Sequence, residues 1–175
     1  MKKLRITEMN RLTPEEFKAE QKIPLVVVLD NVRSMHNIGS VFRTCDAFLT
    51  GLVYLCGISG TPPNAEIHKT ALGAEDTVEW KYFAETIEAV KDLKNKGYTI
   101  VAIEQAHGSV MLPDFKSEQG KKYAVILGNE VKGVQQQVID LCDTCVEIPQ
   151  FGTKHSLNVS VTAGIIIWEF FRKLK

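Results

Sequence analysis

At 175 residues, with 45% apolar and 24% charged side chains, the chain has the size and make-up of one globular domain with a substantial core. Its 21 Lys and Arg balance 21 Asp and Glu, so the net charge is zero, which excludes nucleic-acid binding by bulk charge alone while leaving room for a local basic patch. No apolar signal-peptide stretch follows Met1-Lys2-Lys3-Leu4-Arg5, and the longest apolar-rich run, Val161 to Phe171, contains Glu169 and falls short of the ~20 residues that span a bilayer, so a soluble, cytoplasmic protein is expected.

Thr13-Pro14-Glu15-Glu16 is a capping box with proline at the first helical position, which predicts a short helix to about Gln21, stopped by Pro24. Leu25 to Leu29 is a continuous β-branched apolar run, the signature of a strand buried on both faces. Asn37 to Phe48 reads as a helix capped by an asparagine. Leu52 to Cys56 is a second buried strand, Thr61 to Asn64 a loop, and Ala65 to Leu72 a short helix. Val78 to Phe83 alternates, as an edge strand would. Ala84 to Lys96 places Ile87, Val90 and Leu93 on one face of a helix that Gly97 closes. Tyr98 to Ile103 and Tyr123 to Leu127 are strands, a helix lies near Gln135 to Leu141, and Cys145 to Ile148 is the last strand.

Ser156-Leu157-Asn158 opens a final helix that is apolar around most of its circumference, from Leu157 and Val159 through Ile165, Ile166, Ile167 and Trp168 to Phe171. A surface helix needs only an apolar stripe, so this one must be covered on several sides. In so short a chain the cover is expected from a second copy, a homodimer. The alternation of elements predicts an α/β domain, a mostly parallel sheet with helices on both faces. Residues 1–22 form a short helical extension to the main domain, residues 23–175.

Cys142-Asp143-Thr144-Cys145 has the spacing of a zinc or redox pair, but no second ligand pair accompanies it, so buried free thiols are expected and no metal. Gly-x-Gly is absent, as are the Walker A string and the Gly-x-Ser-x-Gly elbow, which argues against the usual dinucleotide and nucleophile-elbow sites.

Three segments that follow strands remain: Asn37-x-Gly39-x-x-x-Arg43-Thr44, Leu127-Gly128-x-Glu130-x-x-Gly133, and Ile148-Pro149-x-x-Gly152-x-x-x-Ser156-Leu157-Asn158-Val159-Ser160. Singly, each reads as a cap, a turn or a surface arginine. Together, in this order and after strands, they resemble the three signatures of the SpoU branch of the SPOUT RNA methyltransferases. The resemblance runs from about Pro24 to Trp168. One departure is Phe48-Leu49-Thr50-Gly51, where the family usually has Phe-Gly.

The resemblance implies a SPOUT fold with a C-terminal deep trefoil knot, S-adenosylmethionine as cofactor, and methyl transfer to a ribose 2′-hydroxyl of RNA without a metal. It also implies a dimer that completes the active site. By the same carry-over, Arg43, Asn37, Glu130 and Asn158 form the catalytic set. Arg43 binds the substrate phosphate and positions the hydroxyl, because a guanidinium is too weak an acid to serve readily as a base. Asn37 helps hold substrate or Arg43. Glu130 and Asn158 orient the loops. Leu127, Gly128, Ile148, Ser156 and Leu157 hold the cofactor, with Gly128, Ile148 and Leu157 acting through their backbone, and Glu104 is a neighbour of the same site. His36 and His155 are candidate RNA contacts. The short residue 1–22 extension leaves no room for a separate RNA-binding domain and favours tRNA over rRNA. The competing readings are a non-catalytic knotted RNA-binding homologue, which would be expected to lack Arg43 or Asn158, and an unrelated flavodoxin-like nucleotide module.

Overall fold

The computed structural model describes residues 1–175 apart from the side chain of Ile6. Seven strands form one sheet in the order β3-β2-β1-β6-β4-β7-β5, and every neighbouring pair is parallel. They are β1 (Ile23–Asp30), β2 (Thr50–Cys56), β3 (Glu79–Phe83), β4 (Tyr98–Ile103), β5 (Val110–Met111), β6 (Lys122–Leu127) and β7 (Thr144–Glu147). The helices are α1 (Pro14–Ala19), α2 (Met35–Ala47), α3 (Ala65–Ala71), α4 (Ala74–Thr77), α5 (Thr86–Asn95), α6 (Gln136–Ile139) and α7 (Val159–Leu174). The two-residue β5 and the four-residue α4 carry too short a pattern to be read from the sequence.

β1 sits between β2 and β6, with Val26, Val27 and Val28 beside Leu52, Val53 and Tyr54 on one side and Ala124, Val125 and Ile126 on the other. Alternate residues of the strand therefore feed two cores. Leu25, Val27 and Leu29 join Ile38, Phe42, Ile67, Ile166 and Phe170 on the face covered by α2, α3 and α7. Val26 and Val28 join Ala89, Val90, Leu93 and Val138 on the face covered by α5 and α6. The continuous apolar run is the consequence of burial on both faces.

The chain winds from β1 to β2 and β3 in one direction, while β6 and β4 lie on the other side of β1. The strand order thus reverses beside β1, and in an open α/β sheet the carboxyl ends of the strands at such a point frame a crevice.

Two helix starts refine the sequence reading. The capping box forms, with Thr13 accepting from the Glu16 amide and Glu16 accepting from the Thr13 amide. The cap of α2, however, is Ser34, whose hydroxyl accepts from the Asn37 amide at 3.2 Å. Asn37 therefore lies in the first turn, and its side chain is available for long-range contacts. At the other end of α2, Leu49 takes φ 55° in the turn where the family usually has glycine. A leucine there bears the cost of the left-handed conformation, about 1–2 kcal/mol, offset by its packing against the core.

α7 buries Val159, Ala163, Ile166, Ile167 and Phe170. Val161, Ile165 and Trp168, at i, i+4 and i+7, are 51%, 36% and 51% exposed. This second stripe is uncovered in the single chain. Among the described residues, no helix is long and apolar enough to cross a membrane. Cys142 and Cys145 are free and only half-buried rather than buried, and desolvation pushes the Cys142 thiol up to about 12.

Phe170 is 1% exposed and packs its ring on Phe115 and Tyr123, with centroids 5.6 and 5.4 Å away. Phe170→Ala is expected to cost about 3–5 kcal/mol in urea unfolding; a loss below about 1 kcal/mol would contradict the placement of α7 in the core.

Candidate active site

The carboxyl ends of β6, β4 and β7 open onto a cavity of about 660 Å3. Three chain segments wall it: Ile103 to Gln105 after β4, Leu127 to Val134 after β6, and Ile148 to Asn158 after β7. Leu127, Gly128, Ile148, Ser156, Leu157 and Glu104, all implied cofactor residues, line this one space, and so do Glu130 and Asn158. Asn37 and Arg43 do not line it.

The segment after β6 is a tight loop in which Asn129 and Gly133 exchange both backbone hydrogen bonds, at 3.1 and 2.9 Å. Two glycines are required. A Cβ on Gly128 would overlap the Gly133 carbonyl carbon, and Gly133 has φ +68° with the Glu104 carboxylate where its Cβ would lie. Glu104 Oε2 accepts from the Val134 amide at 3.0 Å, and Oε1 accepts from the Gln105 amide at 2.8 Å. Its carboxylate is thus engaged in shaping the loops. Asn129 donates to the Asn31 carbonyl at 2.7 Å and accepts from the amides of Val131 and Lys132. Neither role of these two side chains was legible beforehand, because both depend on contacts made across strands.

Glu130 is the hub. Its Oε2 accepts from the Arg33 amide at 2.9 Å, and its Oε1 accepts from the Ser34 amide and the Asn37 side-chain amide, both at 3.0 Å. Asn37 Oδ1 in turn accepts from Asn158 Nδ2 at 3.2 Å. Asn158 Oδ1 caps α7 through the amides of Ser160 and Val161 and accepts from the Ser160 hydroxyl at 2.6 Å. Three motif segments that lie far apart in sequence are thereby linked by side chains. Partial burial works against the Glu130 charge, but the Arg33 and Ser34 amides outweigh it and hold this carboxyl below the usual glutamate range.

The third wall differs in kind. Among the described residues, no backbone–backbone hydrogen bond involves residues 148–157. Its one backbone tie to a side chain is the His155 carbonyl, which accepts from Gln105 Nε2 at 2.7 Å. Backbone groups of Ile148, Gln150, Ser156 and Leu157, which line the cavity, are left without a backbone or side-chain partner there. The lining is also acidic, with Glu104, Glu130 and Glu147 against Lys132. Free backbone donors and acceptors together with carboxylates suit a nucleoside that carries a positive charge. Among the described residues no cluster of three His, Cys, Asp or Glu side chains is placed to hold a metal.

Arg43 is exposed on a different face of α2. It lies six positions after Asn37, which is about 9 Å along the axis and about 120° around it. Asn37 is committed to Glu130 and Asn158, so it does not hold Arg43. His36, seven residues before Arg43, shares its face and meets the Glu66 carboxylate at 2.7 Å. His155 is exposed at the rim of the cavity. A second cavity of about 580 Å3, beside Trp80, Pro62 and Pro63, contains none of the motif residues.

Because Glu130 is held below its ordinary value of 4.5, the stability it contributes is present above that value and is lost as the pH falls through the folded value. Glu130→Gln should therefore be about 1–3 kcal/mol less stable than wild type at neutral pH. The gap should close as the pH is lowered below 4.5, read by denaturant unfolding. A gap that does not depend on pH would contradict the hub.

Comparison with known proteins agrees with this geometry. The model of the SpoU rRNA Methylase family matches residues 24–168. The chain is 32% identical over 168 residues to a tRNA (guanosine(18)-2′-O)-methyltransferase of Thermus thermophilus, covering 95% of this chain and 84% of that protein. It is also 32% identical over 154 residues to the 23S rRNA (guanosine-2′-O-)-methyltransferase RlmB of Neisseria meningitidis serogroup B, covering 86% of this chain and 59% of that one. The AdoMet-bound rRNA methyltransferase structure from Sinorhizobium meliloti superposes with a TM-score of 0.82 at 27% identity, covering 94% of this chain and 62% of that chain. Motifs, parallel sheet and matched span together place the chain in the SpoU methylase family.

Proposed function

We propose that this protein transfers a methyl group from S-adenosylmethionine to a ribose 2′-hydroxyl of RNA, with tRNA as the favoured substrate, and that it acts in the cytoplasm as a homodimer. In the same reading, the segment after β7 is threaded as the deep trefoil knot of the SPOUT fold. The observation that carries the proposal is the junction at residues 148–158. Unpaired backbone groups and an acidic lining meet there at the carboxyl ends of β6, β4 and β7, held by the Glu130–Asn37–Asn158 relay.

Ile148, Leu157 and Gly128 offer backbone groups to the adenosine, and Glu104, Glu130 and Glu147 give the cavity the sign that a sulfonium requires. When bound, S-adenosylmethionine supplies a methyl group on a good leaving group. The protein's remaining tasks are to hold the ribose hydroxyl in line and to ease loss of its proton. Arg43, exposed and permanently charged, grips the adjoining phosphate bidentately and orients the hydroxyl. A phosphate oxygen held in this way is a suitable acceptor for the proton.

Arg43 and Asn37 point to different sides of α2, so one copy does not bring the arginine to its own cofactor cavity. The uncovered stripe Val161, Ile165, Trp168 lies on α7, which packs directly beside α2. Covering that stripe with a second copy brings the Arg43 face to the interface. Arg43 then serves the partner's cavity. The tRNA preference is supported by the share of this chain that each relative matches, 95% for the tRNA enzyme against 86% for the rRNA enzyme. Methylation of rRNA is the second reading.

Incubation with labelled S-adenosylmethionine and unmodified transcripts, followed by digestion to nucleosides, should yield a 2′-O-methylated nucleoside from tRNA. A base-methylated product, or none from either RNA, would sink the proposal. Arg43→Ala should lose at least about a hundredfold in transfer rate while keeping its cofactor affinity by calorimetry. Mixing Arg43→Ala with an inactive Asn158→Ala chain should restore part of the activity, because one site of the mixed dimer is then intact; no restoration would place Arg43 in its own subunit's site.

A further inference from the structure

Asp30, at the end of β1, is 0% exposed, takes part in none of the ion pairs among the described residues, and has no part in the proposed reaction. A buried carboxylate without a cation persists only when hydrogen bonds satisfy it. Four donors do so. Oδ1 accepts from Thr86 Oγ1 at 2.6 Å, from Asn31 Nδ2 at 2.8 Å and from Gln135 Nε2 at 2.8 Å; Oδ2 accepts from the Gln135 amide at 2.9 Å. Gln135 thus contributes both its backbone and its side-chain donor, and it lies between Val134 and Gln136, which line the 660 Å3 cavity.

The other end of the same loop is tied to the same strand end, because Asn129 donates to the Asn31 carbonyl at 2.7 Å. Asn31 itself stands at φ 57° and accepts from the Ile58 amide. The glycine loop is therefore pinned at residues 129 and 135 to adjacent residues at the end of β1, with Glu104 holding it at Val134. A loop containing two obligatory glycines would otherwise sample many conformations, and ordering it on binding would weaken affinity.

We infer that Asp30 is a positioning residue for the cofactor: through Gln135 it fixes the loop after β6 in its binding shape before S-adenosylmethionine arrives. This rests on the reading of that loop as a wall of the cofactor site. Asp30 touches no substrate, and its effect falls on affinity rather than on the chemical step. Thr86, at the start of α5, bonds the same carboxylate from outside the loop, so it supplies a control for stability alone.

The test compares folded variants by calorimetry with S-adenosylmethionine and by KM and kcat for methyl transfer. Asp30→Asn should weaken cofactor binding by at least about tenfold, the equivalent of one charge-assisted hydrogen bond, raise KM for the cofactor in step, and leave kcat at saturation near wild type. The double variant Asp30→Asn with Gln135→Glu exchanges donor for acceptor and should recover most of the affinity. Thr86→Val should lower the melting temperature without changing affinity. If Asp30→Asn does not fold, Gln135→Leu, which removes only the side-chain donor of a half-buried residue, reads the same affinity.

Unchanged affinity in Asp30→Asn or Gln135→Leu, or an equal loss in Thr86→Val, would overturn the inference. Gly133→Ala separates the two layers. If it weakens binding while Asp30→Asn does not, the loop is a cofactor wall and only the role of Asp30 is wrong. If it too leaves affinity unchanged, the cofactor reading of the loop fails as well.

Discussion

The site depends on one carboxylate. Glu130 receives two backbone amides from the turn before α2 and the side chain of Asn37 within α2, and Asn37 passes the connection to the cap of α7. That relay ties the loop after β6, the start of α2 and the start of α7 directly to one another by side chains. With it, they form a single rim around the cavity. Backbone donors dominate the contacts to Glu130, so a neutral amide in its place keeps the shape but not the charge that the donors are aimed at.

The sheet explains why these segments meet. β1 is flanked by β2 and β6, and the strand order reverses at its side. Parallel strands place all their carboxyl ends on one edge, so a reversal leaves a crevice there rather than a continuous row of loops. Two buried or half-buried carboxylates stand at this edge. Asp30 anchors the glycine loop at Gln135, and Glu104 holds it at Val134. Of these two only Glu104 lines the cavity, so the acidic lining is partly structural in origin.

Most of the architecture was legible from local pattern. Leu25 to Leu29 reads as a two-sided strand because it is one, and the Thr13 capping box forms as written. Leu127, Gly128, Ile148, Ser156 and Leu157, implied by the family motifs, line a common space with Glu104. What escaped was whatever depends on long-range pairing. Ser34, not an asparagine, caps α2, because Asn37 is drawn to Glu130 and Asn158. Asp30 looked like the end of a strand, and its four donors come from Asn31, Thr86 and Gln135, two of these residues lying far along the chain. The Phe48-Leu49 departure from the family is accommodated by a leucine in a left-handed turn, an option that propensity alone would not select.

In the proposed site the cofactor sits between the loops after β6 and β7. A crystal structure of the protein with S-adenosylhomocysteine tests it directly. Ligand density is expected between residues 127–133 and 148–157, with the adenine and ribose held by backbone groups of Gly128, Ile148 and Leu157. Ligand bound elsewhere, such as in the cavity beside Trp80, would contradict it.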